Sequence, residues 1–251
     1  MRRLLVKRLE SSFGAFSDSI DRFLYVHQLV KEFIEKSDGK YILDRKLIEK
    51  MMQYDEEGIE EALSNYAENS ANKKRPKDDT IYNVNKFERR EDFLKDLEGD
   101  IVVFEEIKKT IKDLKLVALD PKRKEIVEQV KSLLKKKKKK KIIIFSEYVD
   151  TVKHLNYFFR DNFGDRVLVC DGKISESMRV DLDTDFNAQN PKHKTNKYDI
   201  LITSDKLSEG FNLNRAGVII NYDIPWNPTR VIQRVGRINR IGTKVFDTLS
   251  I

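Results

Sequence analysis

From Lys141 onward the chain follows a rule that it does not follow earlier: short uninterrupted apolar runs alternate with amphipathic stretches. The runs lie within the expected strands Ile142–Phe145, Val167–Cys170, Asp199–Thr203 and Val218–Tyr222, the first of them continuously apolar. A strand with one wet face alternates apolar and polar residues, whereas a parallel strand covered on both faces reads as a continuous apolar run. Between the runs, apolar residues recur at helical spacing. Val152, Leu155, Phe158 and Phe159 make one helix, with Asp150 or Thr151 as its expected cap. Met178, Leu182 and Phe186 make a second, capped by Ser175, and Asn227-Pro228 opens a third. Strands alternating with helices predict an α/β fold with a parallel sheet. A last strand is expected over Lys244–Ile251. Ligands of such sheets bind at the carboxyl ends of the strands, so the loops after Phe145, Cys170, Thr203 and Tyr222 are the expected seat of function.

The text before Lys141 is helical in character. Phe13, Phe16, Ile20, Phe23, Leu24, His27 and Ile34 form one apolar stripe. Ser37-Asp38-Gly39 interrupts it, and a second short amphipathic piece is expected through Leu43, Leu47, Ile48 and Met51. Residues 55–85 are rich in Glu, Asn, Lys and Asp and read as an exposed linker. Leu94, Leu97, Ile101, Phe104, Ile107, Ile111 and Leu114 predict a helix whose seam is too short for a coiled coil and fits packing on a neighbour. Asp120-Pro121 opens the next helix, buried through Ile126, Val127, Val130, Leu133 and Leu134. The lysine run Lys135–Lys141 allows a phosphate-binding reading, but a solvated loop entering a strand is preferred. The expected division is a helical segment, 1–118, followed by a sheet domain, 119–251.

Lysine and arginine number 49 against 42 acidic residues, a net charge of +7, which favours a polyanionic partner without proving one. A single cysteine, Cys170, excludes an intrachain disulfide and reads as a small buried hydrophobe. One Cys and three scattered His residues (His27, His154 and His193) assemble no metal cluster, so no metal ligand is expected. No stretch is long enough to span a bilayer, and the apolar part of the basic N-terminus is too short for a signal peptide. A cytoplasmic protein without a membrane partner is expected.

The most informative stretch is Gln233-Arg-Val-Gly-Arg-Ile-Asn-Arg-Ile-Gly242. On a helix, Gln233, Arg237 and Arg240 share one face, and Val231, Val235 and Ile238 fall on the other. Two always-charged forks on one face suit a phosphate chain, and the same spacing fits a solvated basic face equally well. Gly236, without a side chain, permits close approach there.

This stretch resembles motif six of superfamily-two helicases, Q-x-x-G-R-x-x-R-x-G. Other segments resemble that family's C-terminal lobe in the family's order. Ile144-Phe-Ser-Glu-Tyr148 is similar to motif four, and Asp171-Gly-Lys-Ile-Ser-Glu-Ser-Met-Arg179 to the adjoining D-G-x(5)-R element. Ile202-Thr-Ser-Asp-Lys-Leu-Ser-Glu-Gly-Phe-Asn-Leu213 resembles motif five. Tyr222-Asp-Ile-Pro-Trp-Asn-Pro228 is similar to the D-x-x-W-N-P box of Swi/Snf-type proteins and their bacterial RNA-polymerase-recycling relatives. The N-terminal Leu-Val-Lys-Arg-Leu-Glu-Ser-Ser-Phe-Gly-Ala-Phe, ending at Phe16, resembles the helical stretch that joins the two lobes of such bacterial enzymes.

The resemblance implies a RecA-like parallel sheet flanked by helices, preceded by a mostly helical segment. It implies that Arg237 and Arg240 are arginine fingers for the ATP γ-phosphate. Gln233, Glu209 and Gly210 would lie against the nucleotide. Thr203 and Ser204, with Ser146 and Arg179 as weaker members, would hold a nucleic-acid backbone, positioning the strand without reading its sequence. Trp226 reads as a packing residue. ATP and Mg²⁺ would be held mainly by a first RecA-like lobe, because the sequence contains no G-x(4)-G-K-[ST] loop and no acidic magnesium box. A piece of a longer protein, inactive toward ATP by itself, is therefore expected. The Swi/Snf-like box favours translocation on double-stranded DNA. An RNA helicase lobe and a non-catalytic nucleic-acid or protein-docking module remain as alternatives. A dinucleotide-dependent dehydrogenase does not fit, because the turn Phe145–Asp150 contains no glycine.

Overall fold

The computed structural model describes residues 2–36, 40–42, 81–136, 141–171, 174–190, 195–205 and 210–239. In chain order its elements are α1 (Arg2–Ser11), α2 (Phe13–Lys36), β1 (Lys40–Ile42), β2 (Ile81–Asn83), α3 (Arg90–Asp113) and α4 (Pro121–Lys136). They continue with β3 (Lys141–Ser146), α5 (Val149–Phe163), β4 (Val167–Cys170), α6 (Glu176–Phe186), β5 (Ile200–Ser204), β6 (Ala216–Asn221) and α7 (Pro228–Ile238). Two compact units result, one made of Met1–Asp18 with Lys115–Ile251, the other of Ser19–Leu114.

The first unit is built on a four-stranded sheet in the order β4-β5-β3-β6, parallel throughout. The unbroken apolar runs bury both faces, as anticipated. Ile142, Ile144, Ile200, Ile202, Val167 and Val169 turn to one side, where Ile126, Val127 and Val130 of α4 and Val152, Leu155 and Phe159 of α5 cover them. The odd-numbered partners Ile143, Phe145, Leu201 and Ile219, with Leu168 and Cys170 of β4, face the other side, against Leu182 and Phe186 of α6 and Ile238 of α7. This is the period-two alternation of a strand, read on a sheet with no wet face.

Local chemistry sets several helix starts. Asp120 Oδ1 accepts the N–H groups of Lys122 (3.0 Å) and Arg123 (3.3 Å). Ser175 Oγ accepts from Met178 N, and Asn227 Oδ1 from Thr229 N with Pro228 following. The expected cap of α5 is corrected: the helix begins at Val149 behind Tyr148, without a side-chain cap, and Asp150 instead pairs with Arg8. Lys141 also departs from the solvated-loop reading. It is the buried first residue of β3, where its ammonium meets Asp185 at 3.1 Å and the Tyr198 carbonyl.

In the second unit, α2 runs antiparallel to α3. Phe23 stacks on Phe104 at 5.7 Å, Lys31 pairs with Glu98 at 2.9 Å, and Ile34, Val84 and Leu97 form a small core. The helix with the short apolar seam is therefore a packed one. Lys40–Ile42 and Ile81–Asn83 pair as an antiparallel ribbon, and Val84 after it is buried. This corrects the linker reading at its C-terminal end. The amphipathic piece expected through Leu43–Met51, most of the 55–85 linker and the strand expected at Lys244–Ile251 lie outside the described residues. No helix among the described residues is long and apolar enough to cross a membrane.

Candidate functional site

Parallel register brings the ends of β3 and β5 side by side, with Phe145 opposite Thr203 and Ser146 opposite Ser204. β6 closes the other flank, Phe145 facing Asn221. At this carboxyl edge two charged side chains collect the strand ends, and the sequence reading had singled out neither.

The first is Arg234, which is 1% exposed. Its guanidinium grips Asp205 with two bonds, Nε to Oδ1 at 2.6 Å and Nη2 to Oδ2 at 2.7 Å. Nη1 donates to Asn221 Oδ1 at 2.7 Å, and the plane lies 5.3 Å from the Phe145 ring centroid. One arginine on α7 thus ties down β3, β5 and β6. The buried face of α7 is not the purely apolar one expected: Ile238 is buried, Val231 and Val235 are half-buried, and Arg234 is among the largest fully buried side chains. Arg230, one turn earlier, reaches Glu147 at 3.0 Å and Asp205 at 3.9 Å.

The second is Asp223. Its Oδ2 accepts from Ser146 Oγ and from Ser11 Oγ, both at 2.6 Å, and its Oδ1 accepts Glu147 N at 2.7 Å. Ser11 also meets Thr151 Oγ1 at 2.8 Å. Lys122 Nζ donates to the carbonyls of Glu10 (2.9 Å) and Ser11 (3.1 Å), capping the C-terminal end of α1. Burial pulls the Lys122 ammonium below the usual lysine range, against the opposing pull of Asp223, Asp120 and Glu10. Helix α1 is therefore fastened to the strand ends.

The expected site residues divide accordingly. Gln233 is exposed and Arg237 half-exposed on α7. Gly210 is exposed with φ at +87°, a left-handed conformation that suits glycine; a Cβ there would meet nothing within 4 Å, so backbone conformation and not crowding selects it. Around Gly236 the space is likewise open to 4 Å. Arg179 is exposed, 5.8 Å from the Phe211 ring centroid. Thr203 and Ser204 are buried at the tip of β5, and Ser204 Oγ has no hydrogen-bond partner among the described residues. Ser146 is fully buried and its hydroxyl is engaged with Asp223, so the structure gives it an internal role. Arg240 and Glu209 lie outside the described residues. Trp226 corrects the packing reading: it is 66% exposed, with the Lys7 ammonium 4.9 Å from its ring centroid. Cys170 is buried, and burial first, then the Asp171 charge, pushes its thiol up to about 12, so it is no nucleophile at neutral pH. Among the described residues no group of three or more His, Cys, Asp or Glu side chains could hold a metal ion.

The helicase conserved C-terminal domain family matches residues 122–242, which carry this parallel sheet and the arginine-bearing helix at its carboxyl edge. These residues are a helicase C-terminal domain. Its sheet is the RecA-like one of superfamily two. The SNF2 domain-containing protein CLASSY 3 of Arabidopsis thaliana is 35% identical over 139 residues, 52% of this chain and 9% of that protein. An uncharacterized ATP-dependent helicase of Bacillus subtilis, YqhH, is 31% identical over 126 residues, 50% of this chain and 20% of its own. The ATP-dependent RNA helicase dbp8 of Botryotinia fuckeliana is 32% identical over 102 residues, 41% and 17% of the two chains. The chain thus spans at most about a fifth of the length of these relatives. SNF2-type and RNA helicase proteins are thus both among the relatives.

Proposed function

We propose that this chain supplies the second lobe of an ATP-dependent motor on nucleic acid, with double-stranded DNA as its track. The observation that carries the reading is the sorting of side chains on α7. Arg234 is buried on Asp205 and Arg230, itself exposed, pairs with Glu147, while Gln233 is exposed and Arg237 half-buried on the same helix. A helix anchored by two of its arginines holds a third at a fixed place, as transition-state stabilisation requires. In this reading Arg237 and Arg240 neutralise charge on the transferring γ-phosphoryl group. Gln233, Glu209 and Gly210 border the nucleotide. Magnesium travels with ATP and is held chiefly by the first lobe.

Thr203, Ser204 and Arg179 are the proposed contacts to the nucleic-acid backbone. The Ser204 hydroxyl, buried at the end of β5 and without a hydrogen-bond partner among the described residues, supports that reading. Ser146 is left with its bond to Asp223. Closure of the two lobes around ATP, and reopening after hydrolysis, would shift one set of backbone contacts against the other.

The Asp223–Pro228 box and the similarity to an SNF2 domain-containing protein favour duplex DNA. The similarity to the RNA helicase dbp8 favours an RNA track as the second reading. The deciding experiment measures ATP turnover by the full-length protein with duplex DNA, single-stranded DNA and RNA over a range of salt. Strongest stimulation by duplex DNA is expected. Strongest stimulation by RNA selects the second reading, and no stimulation by any of the three removes the motor. The 251-residue chain by itself is expected to hydrolyse ATP at the blank rate.

A further inference from the structure

The loop that follows β5 holds α7 at two points. At its start, Asp205 takes the bidentate fork of Arg234. At its end, the Leu213 N–H donates to the Arg237 carbonyl at 3.1 Å. The two holds therefore fall on Arg234, directly after Gln233, and on Arg237 itself. Arg234 is the residue directly after Gln233 and lies three before Arg237, so the angle at which it meets Asp205 sets the rotation of both about the helix axis. Arg234 cannot adjust freely: Asn221 and the Phe145 ring fix its remaining edge and its face. Asp205 is likewise the residue directly after Thr203 and Ser204 at the end of β5.

We infer that Arg234 is a positioning residue for phosphoryl transfer: its fork on Asp205 places Arg237 and ties that placement to the tip of β5. The inference rests on the reading that Arg237 meets the nucleotide and adds how it is aimed. Two parallel N–H···O bonds specify orientation as well as distance, which a lysine at the same place cannot do. Any shift of β5 or of its following loop is thereby carried to α7 as a rotation. The carboxylate is two-sided in this role, because Arg230 approaches it from the preceding turn at 3.9 Å.

The test uses the full-length protein with the nucleic acid that stimulates it best, comparing Arg234→Lys, Asp205→Asn, Arg237→Ala and the double variant Arg234→Lys/Arg237→Ala. Misplacing a reacting group by a fraction of a helical turn lowers the rate by about 10²-fold, so kcat of Arg234→Lys and of Asp205→Asn should fall by that order. KM for ATP and the Kd for nucleic acid should stay within about two-fold, since the loss belongs to the transition state alone. The double variant should lose far less than the product of the two single losses, because Arg237 is the main group that Arg234 aims. Additive losses, or a KM that rises with no change in kcat, would overturn the inference. Should Arg234→Lys fail to fold, Asp205→Asn decides it: the aspartate is part-exposed and Asn has nearly the same shape. A wild-type protein without nucleic-acid-stimulated turnover would sink the functional reading itself. A stimulated wild type whose folded variants keep full kcat sinks only the positioning role.

Discussion

The sheet has two ends, each built around buried charge, and they differ in what they leave outside. At the amino edge, Asp185 accepts from Tyr198 N at 2.6 Å, Lys197 N at 3.2 Å, the Thr195 hydroxyl and the Lys141 ammonium. Its partners come from the start of β3 and the approach to β5, and the carboxylate is closed over by them. At the carboxyl edge, Arg234 and Asp223 draw partners from α1, β3, β6 and the segment after β5. Near that edge Gln233 and Gly210 are exposed and Arg237 is half-exposed. The amino edge is a fastening, whereas the carboxyl edge is a mount. The same chemistry of buried, fully bonded charge serves stability at one end and aim at the other.

The sharpest way to separate the two is to remove what is aimed. Arg237→Ala and, separately, Arg240→Ala in the full-length protein should each lower kcat by about 10³-fold or more, as loss of an arginine finger does. Thermal stability and nucleic-acid affinity should hardly move. Unchanged turnover in both variants would remove the finger assignment and reduce the carboxyl edge to a second fastening.

The complementary experiment strikes the amino edge. Asp185→Asn leaves the Lys141 ammonium buried without its counter-charge and should destabilise the domain by about 3 kcal/mol, read from the urea midpoint. The kcat of the molecules that remain folded should not change. Acid titration sharpens this. Burial alone would raise the Asp185 pKa, but the Thr195 hydroxyl, the Tyr198 N–H and Lys141 outweigh it and hold the group below the usual 3.8. A depressed carboxylate stabilises the fold above its unfolded pKa and loses that contribution as pH falls through the native value. The wild type should therefore lose stability below about pH 4 more steeply than Asp185→Asn does. Lys141 works in the opposite sense at the alkaline end: burial lowers its pKa despite Asp185, so its penalty is present at neutral pH and lifts as pH rises toward 10.5.

The amino edge also shows where sequence reading ends. The sheet was legible because apolar runs and helical spacing are local signals, and both covered faces follow from them. Ser175, Asn227 and Asp120 were legible as caps for the same reason. Lys141 and Arg234 were not: a lysine closing a lysine run and an arginine in a basic, glycine-containing stretch both look like surface. What buries them is a carboxylate far along the chain, 44 residues away for Lys141 and 29 for Arg234. No local spacing encodes those partners. Trp226 erred the other way, since an aromatic residue in a proline-containing box gives no hint that its ring faces solvent. The β1–β2 ribbon escaped because three-residue strands in polar text carry too little periodicity. Of the candidate site, the face shared by Gln233 and Arg237 was legible and its mounting was not.

A smaller effect is expected within the sheet unit, where the first turns of α2 pack on α5. A Cβ on Gly14 would lie 2.5 Å from His154 Cγ, closer than a real contact allows, so the ring must move. Gly14→Ala should cost about 2 kcal/mol as an overpacked contact. It should also displace His154 Nε2 from Asp18, which it meets at 2.9 Å, visibly in the imidazole resonances. An unperturbed His154 with full stability would show that this junction is looser than its geometry.

The least costly test concerns how far the mount extends. Asp223 is served by two hydroxyls from places 135 residues apart, Ser11 on α1 and Ser146 on β3, both on the same oxygen. Ser11→Ala removes one donor and leaves Ser146 and Glu147 N, so the loss should be about 1 kcal/mol. If α1 is an integral part of the carboxyl edge, Ser11→Ala and Ser146→Ala must couple, because each makes the other the last hydroxyl on that oxygen. A double-mutant cycle on unfolding free energy should then depart from additivity by about 0.5 kcal/mol or more. Strict additivity would mean that Asp223 finds other donors when either is lost. The edge would then be fixed by Arg234 alone, with α1 lying against it as a passenger.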